Sequence, residues 1–396
     1  MSQRNLRDRA IQLHRQYKGK IEVVSKIEIT SEADLSLVYT PGVGDVCKEI
    51  EKNPKELNHL TARGNMVAVV TDGTAVLGLG DIGPHAAMPV MEGKCMLFKT
   101  FADIDAFPIC LDTKNVDEIV TVVKALQPTF AGVNLEDISA PRCFEIEDRL
   151  KRELDIPVFH DDQHGTAIVV LAGLLNGIKV VGKQMEKVKI VINGAGAAGI
   201  SIAKLLLEAG FAHITLVSLE GVVHQNESWL NSSQRNIAKV TNKTNIKGTL
   251  QEAVMGADVF IGVSGPAALK AVHVKKMAKN PIVFAMANPI PEIYPEEALA
   301  AGAKVVGTGR SDYPNQINNL LAFPGIFRGA IDSGASDITV EMKIAAAYAI
   351  ANLIPEKELS STYVIPNALN NEVPKVVAKA VADTALKKER ILLKQI

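Results

Sequence analysis

An α/β fold in two domains is what this sequence predicts, on three grounds. Short apolar runs alternate with segments of helical period through most of the chain. A glycine-rich turn joins one such run to a helical segment between Asn193 and Gly199. With 396 residues the chain is also long enough for two domains, each burying its own core. The expected division is an N-terminal α/β domain over residues 1–160 and a C-terminal nucleotide-binding domain with closing helices over residues 161–396.

Taken in order, charged and apolar side chains at helical spacing predict an exposed or subunit-packing helix near Leu6 to Tyr17. Thr40-Pro41-Gly42 breaks regular structure just after Tyr39, which is either a positioned phenol or a packing residue with a wet hydroxyl. A strand is expected at Val67 to Val70, then a turn, a short strand and a glycine-rich loop through Thr71 to Gly83. Lys94 precedes a strongly apolar segment. It either snorkels to water or, partly desolvated, acquires a lowered pKa and serves as a base.

Strand, helix, strand, helix, strand then follow at Phe107–Leu111, Val116–Leu126, Thr129–Val133, Cys143–Leu154 and Ile156–Phe159. The last two strands run into Glu136-Asp137 and Asp161-Asp162. In parallel α/β sheets ligands gather beyond the carboxyl ends of the strands. Single acids there are ordinary loop residues or helix N-caps, but two acidic pairs at two strand ends suit a hard divalent cation with oxygen ligands.

An apolar helix is expected from Gly165 to Val180, as the spine between the domains. After it, a strand leads into Asn193-Gly194-Ala195-Gly196-Ala197-Ala198-Gly199 and a helix, the strand-turn-helix context that gives Gly-x-Gly-x-x-Gly its force. Gly194 permits the tight turn, Gly196 lets the backbone approach a pyrophosphate, and Gly199 lets the helix pack on the strand. A Rossmann-type, doubly wound NAD(P)-binding domain follows, with further strands at Ile214–Val217, Val259–Val263, Ile282–Ala285 and Val305–Gly307.

Where a carboxylate commonly meets the adenosine ribose, this chain has Ser218, with Glu220 two residues on and no Arg or Lys close by. NAD is therefore expected over NADP. Gln225 to Lys243 reads as a polar surface insertion, and Asn318 and Asn319 as surface amides or holders of a substrate carboxylate. Asp337 to Ala351 and Val373 to Lys394 are Ala-rich helices that should pack back on a domain.

The bulk properties exclude several roles. Lys plus Arg number 43 against 44 Asp plus Glu, so no global field favours nucleic acid or an anionic membrane. The N-terminus is too polar for a secretory signal, and Asn176 ends the longest apolar run before it could cross a bilayer. Cys47, Cys95, Cys110 and Cys143 show no metal or disulfide spacing; buried apolar roles and a reducing cytoplasm are expected. Small molecules and like subunits remain as partners.

Tyr39-Thr-Pro-Gly, Gly78-Leu-Gly-Asp-Ile-Gly83, Glu92-Gly-Lys94, Asn134-Leu-Glu-Asp137, Asp161-Asp162, Gly165-Thr166 and the Asn193 to Gly199 turn together resemble the bacterial malic enzymes of the short-subunit type, in order and over nearly the whole length. The resemblance implies oxidative decarboxylation of (S)-malate to pyruvate and carbon dioxide with NAD, NADP being possible, and with Mg2+ or Mn2+. It implies Glu136, Asp137 and Asp162 as metal ligands, with Asp161 beside them. It makes Lys94 the base on the 2-hydroxyl and Tyr39 the acid that protonates the enolate carbon. It puts Asn288 and one of Asn318 or Asn319 near malate and the nicotinamide end. It also implies a homodimer, with Tyr39 serving its own cleft or a partner's.

The chain departs from the pattern twice. Thr74-Ala75 stands where larger members carry a substrate-gripping Arg, and Ser218 stands where an Asp is common. Two other readings compete: a metal-dependent oxaloacetate decarboxylase on the same scaffold, and a nucleotide-sensing protein without catalysis.

Overall fold

The computed structural model describes residues 3–76 and 78–393. Helices come first: α1 (Gln3–Tyr17), α2 (Glu32–Val38), α3 (Val43–Lys52) and α4 (Leu57–Leu60). Ser31 caps α2 by accepting from the Asp34 amide. These helices bury little, and Leu6, Leu13, Val23, Val24, Leu37 and Tyr39 all stay exposed.

The first α/β unit runs β1 (Met66–Thr71), α5 (Gly83–Ala102), β2 (Asp105–Cys110), α6 (Val116–Leu126), β3 (Gly132–Leu135), α7 (Arg142–Glu153) and β4 (Val158–His160). Its four strands are parallel, in the order β2-β1-β3-β4. Val67, Val69, Val70, Val133 and Val158 are buried, as β-branched residues on both faces of a covered parallel sheet should be. The extra strand expected between Thr71 and Gly83 does not form. Only a single bridge links Val76 to Gly80 among the described residues, and the glycines there take positive φ. The segment around Lys94 lies inside α5, which accommodates Pro89 and Gly93.

The helix α8 (Asp161–Val181) begins directly at the end of β4, so Asp161 and Asp162 form its first turn rather than a loop before it. This helix is long and apolar enough by composition to cross a membrane, contrary to the sequence expectation, but 72% of its apolar window is buried inside the protein. It is a core element.

The second unit runs β5 (Lys189–Asn193), α9 (Ala197–Glu208), β6 (His213–Val217), α10 (Ser232–Ala238), α11 (Leu250–Ala253), β7 (Val259–Gly262), α12 (Ala271–Val274), β8 (Ile282–Ala285), α13 (Pro295–Ala300) and β9 (Val305–Thr308). Its five parallel strands are ordered β6-β5-β7-β8-β9, with β5 at the reversal of strand order where doubly wound folds bind nucleotides. The polar stretch Gln225 to Lys243 is not a free insertion: α10 buries Gln234, Ile237 and Ala238 beside α9.

The chain closes with α14 (Phe323–Asp332), α15 (Val340–Asn352) and α16 (Glu372–Leu393); the expected last residue, Lys394, lies outside the described residues. Phe98 on α5 meets Phe323 and Phe327 of α14 edge to face, at ring centroid distances of 4.8 and 5.3 Å, and Phe327 meets Phe159 of β4 at 5.9 Å. Each such pair adds about 0.5–1.5 kcal/mol beyond its buried area. The cluster fixes α5, and hence Lys94, against the first sheet.

Of the cysteines, Cys95 and Cys143 are buried as expected, their thiols pushed up to about 12 by burial, whereas Cys47 is exposed.

Candidate active site

Strand register assembles the acids. β3 and β4 are neighbours and Leu135 pairs with His160, so the residues that follow, Glu136 and Asp161, leave the sheet side by side. Asp137 then turns the chain back with φ of 54°, a left-handed conformation that Asp tolerates better than most non-glycine residues. Its amide donates to Asp162 Oδ2 at 2.8 Å, tying the two acidic pairs together.

The outcome is a group of three carboxylates, Glu136, Asp137 and Asp162, with one oxygen from each within 4.8 Å of the others. Glu136 and Asp137 are buried and Asp162 is partly exposed. Burial and repulsion from neighbouring carboxylates raise two of them: Asp137 is pushed up to about 9, and Glu136 rises through burial against the pull of Lys94. Asp137 Oδ2 and Asp161 Oδ1 are buried without a hydrogen-bond partner. A hard divalent cation answers these conditions, since it accepts all-oxygen ligands and relieves the repulsion. The residues present fit such an ion.

Lys94 reaches the same point from α5. Its Nζ lies 2.6 Å from Asp161 Oδ2, 2.8 Å from Glu136 Oε1 and 4.3 Å from the centroid of the Phe323 ring. Burial alone would lower its pKa, as the sequence leads one to expect. The two ion pairs outweigh burial and hold the ammonium above its ordinary range. Asp161 is fully buried, and burial raises it to about 8 despite Lys94. Gly165 makes the room: a Cβ there would sit 1.8 Å from Asp161 Oδ1.

The remaining predicted residues divide. Asn319 Cβ lies 3.2 Å from that same Cβ position on Gly165, beside Asp161, whereas the Asn318 side chain is engaged in accepting from the Leu320 amide. Asn288 sits between the units: its carbonyl oxygen lies 2.9 Å from where a Gly78 Cβ would be, and its Nδ2 2.7 Å from that of Gly309. Tyr39 is not brought to the acids. It is 66% exposed at the end of α2, with no hydrogen bond or ring contact to Lys94 or the carboxylates.

A cleft of about 780 Å³ opens at the carboxyl end of the second sheet, lined by Asn193, Gly194, Ala195, Gly196, Ser218, Glu220 and Ser264 and by Ala140 and Phe144 of the first unit. Gly194 has φ of 121°, and a Cβ on it would lie 2.5 Å from Val263 O. A Cβ on Gly199 would lie 1.7 Å from Gly194 O, so only glycine lets the turn close on the helix. Ala197, Ala198 and Gly199 form the first turn of α9, whose amides and dipole favour phosphate, and Gly196 faces open space. The cradle fits a dinucleotide. Ser218 Oγ donates to Glu220 Oε2 at 2.6 Å, which holds that carboxyl below its usual range.

Several site residues escaped the sequence reading. Arg142 of α7 reaches the Thr74 loop, with Nη2 3.0 Å from Thr74 Oγ1 and Nη1 2.8 Å from Asp72 Oδ2, so its donors brace that loop. Gln234 and Asn231 of the supposed insertion line the cleft, and the Gln234 amide donates to Ala195 O at 3.3 Å. Gln163, next to Asp162, accepts from Ser201 of α9 at 3.1 Å and so links the acidic site to the nucleotide helix. An Arg or Gln on a helix face carries no local signal for such contacts.

Comparison with known proteins adds an independent line. The malic enzyme N-terminal domain model matches residues 18–151 and the malic enzyme NAD binding domain model matches residues 163–386. The chain is 59% identical over 381 residues to the NAD-dependent malic enzyme of Geobacillus stearothermophilus, covering 96% of this chain and 79% of that protein. It is 57% identical over 383 residues to the bifunctional malic/malolactic enzyme of Bacillus subtilis, covering 96% and 93%. Among solved structures, the NAD-dependent malic enzyme of Thermotoga maritima superposes with a TM-score of 0.91 at 50% identity, over 94% of this chain and 98% of that one.

Proposed function

Since this chain belongs to the malic enzyme family, we propose that it oxidises (S)-malate with NAD(P) and releases pyruvate and carbon dioxide, using Mg2+ or Mn2+ held by Glu136, Asp137 and Asp162. One observation carries the metal reading: three carboxylates from two neighbouring strand ends offer oxygens within 4.8 Å of one another, beside a buried lysine. A divalent ion supplies Lewis acidity toward the substrate oxygens, and the nicotinamide accepts a hydride.

The protein's own residues do the rest. Lys94, once its own proton has passed to Asp161, takes the 2-hydroxyl proton as the C2 hydride leaves; a divalent ion held by Glu136, Asp137 and Asp162 would offset the carboxylate charge that keeps the ammonium protonated. The contact of Lys94 with Asp161 at 2.6 Å provides a buried carboxylate, raised to about 8, that exchanges protons with it near neutrality. Asn288 and Asn319 hold the substrate carboxylate with neutral donors, in place of the Arg absent at Thr74-Ala75. Loss of carbon dioxide then leaves an enolate whose carbon takes a proton from the Tyr39 phenol. The order is oxidation, decarboxylation, tautomerisation.

NAD is the preferred nucleotide, because the Glu220 carboxylate at the cleft wall would repel a 2'-phosphate. The protein works as a cytoplasmic homodimer. Exposed apolar side chains on the first helices, Leu6, Leu13 and Leu37 among them, form the contact, and Tyr39 completes the partner's site. A monomer in sedimentation would remove this last part.

The activity itself is tested with metal-stripped protein, malate and each nucleotide, following reduced cofactor before and after Mn2+ is restored. Reduction only on metal return is expected. Absence of reduction alongside fast oxaloacetate decarboxylation would favour the decarboxylase reading, and absence of both a nucleotide sensor.

A further inference from the structure

A buried carboxylate that the proposed chemistry does not use sits behind the nucleotide cleft. Glu292, in the segment after β8, is 0% exposed. Its Oε1 accepts from the Ser264 amide at 2.9 Å and from Ser264 Oγ at 3.3 Å, and its Oε2 accepts from the Ala287 amide at 3.0 Å. Among the described residues it has no cation within ion-pair distance. Ser264 Oγ in turn accepts from Asn193 Nδ2 at 2.7 Å, and the backbone amides of Ala267 and Leu269 donate to Pro291 O and Glu292 O. The Glu292 side chain therefore joins the carboxyl ends of β7 and β8, and Ser264 links them on to β5. Ser264 lines the nucleotide cleft, and Ala287 immediately precedes Asn288.

The fold makes space for this carboxylate. A Cβ on Gly262, the last residue of β7, would lie 2.4 Å from Glu292 Cδ. Burying an uncompensated carboxylate is costly, and holding two loops together does not of itself require a charge. All three hydrogen-bonding groups aimed at it are donors, divided between its two oxygens. A Gln side chain has a single acceptor oxygen and could not answer both sides.

We propose that Glu292 is a positioning residue that sets the Ser264 loop against the Asn288 loop, and so aligns the nicotinamide end of the dinucleotide with the substrate held at the acidic site. The inference rests on the malate-oxidising reading above and specifies which step depends on the alignment. Hydride transfer is sensitive to small displacements of donor and acceptor, whereas decarboxylation of added oxaloacetate needs no nicotinamide.

The test compares wild type with Glu292→Gln in the full chain. NADH fluorescence titration, without metal or malate, should show binding weakened about threefold or more, through the lost Ala287 or Ser264 link. Malate oxidation should fall about 10- to 100-fold, with a larger primary isotope effect from malate deuterated at C2, while oxaloacetate decarboxylation with Mn2+ stays within about twofold. Unchanged NADH affinity and isotope effect would overturn the proposal, as would decarboxylation falling in proportion to oxidation. If Glu292→Gln shows no cooperative melt, Ser264→Ala, which removes one hydroxyl at the cleft wall, must raise the isotope effect in the same sense. A wild type that reduces neither nucleotide would defeat the functional reading instead, and the NADH titration would still judge Glu292.

Discussion

Lys94 Nζ stands 2.6 Å from Asp161 Oδ2, joining a helix of the first unit to the first turn of the helix on which the two units are built. Both partners are deeply buried, and the lysine sits above its ordinary pKa because two carboxylates outweigh the cost of burial. Lys94→Met removes the proposed base and leaves Asp161 facing Glu136. Malate turnover should fall about 10²- to 10⁴-fold with a smaller change in KM, as read from the absorbance of reduced nicotinamide. Turnover close to wild type would remove Lys94 from the role assigned to it.

The acidic triad makes a prediction that does not depend on catalysis. An ion that binds only the folded state raises the melting temperature, and at 100 times its dissociation constant the gain is about 2.7 kcal/mol. Mn2+ should stabilise the wild type in this way and do so far less for Asp162→Asn, which loses one of three carboxylates. Equal shifts in the two proteins would place the ion elsewhere.

How much of this was legible follows from how far each signal reaches along the chain. The Asn193 to Gly199 turn and the strands around it were readable because strand, glycines and helix are contiguous. The acidic pairs were readable as strand ends, but their meeting depended on β3 lying next to β4, which only the sheet order reveals. The helix around Lys94 was missed because Pro89 and Gly93 both weaken helical pattern, although Pro89 stands only six residues into α5 and the buried contacts of Met91, Cys95 and Phe98 carry the rest. Glu292 reaches Ser264 across 28 residues and Arg142 reaches Thr74 across 68, so nothing near either announces these contacts. The expected fall in the Lys94 pKa followed from burial alone; the opposing partners lie 42 and 67 residues away.

The proposed preference for NAD turns on one exposed carboxylate, Glu220. Ser218 donates to Glu220 at 2.6 Å and both line the cleft. A 2'-phosphate arriving there would meet a negative charge, so Glu220→Ala should raise the ratio of kcat/KM for NADP over NAD by about tenfold. Steady-state kinetics with both nucleotides at fixed malate measure it, and an unaltered ratio would mean that the ribose binds away from Glu220.

A second buried charge cluster bears on stability. Lys343 of α15 is only 5% exposed and faces Lys151 and Glu147 of α7, Asp337 before its own helix and His164 of α8. Burial first, and then the charge of Lys151, push Lys343 down to about 7, whereas an unfolded lysine titrates near about 10.4. Between these values the unfolded chain holds a proton that the folded protein does not, so the contribution of Lys343 to stability rises with pH. Its penalty is full below about pH 7 and relieved toward pH 10, and amounts to a few kcal/mol as an order of magnitude. Lys343→Met keeps the volume, removes the penalty and leaves Glu147 with Lys151 at 3.1 Å and His164 at 2.7 Å. Thermal melts should show the variant more stable than wild type by roughly 3–6 °C at pH 6.5, with the gain shrinking toward pH 9. A variant less stable at pH 6.5 would show that Lys343 is held charged by Glu147 and Asp337 and stabilises the fold, and a gain independent of pH would show that its protonation does not differ between the folded and unfolded chain.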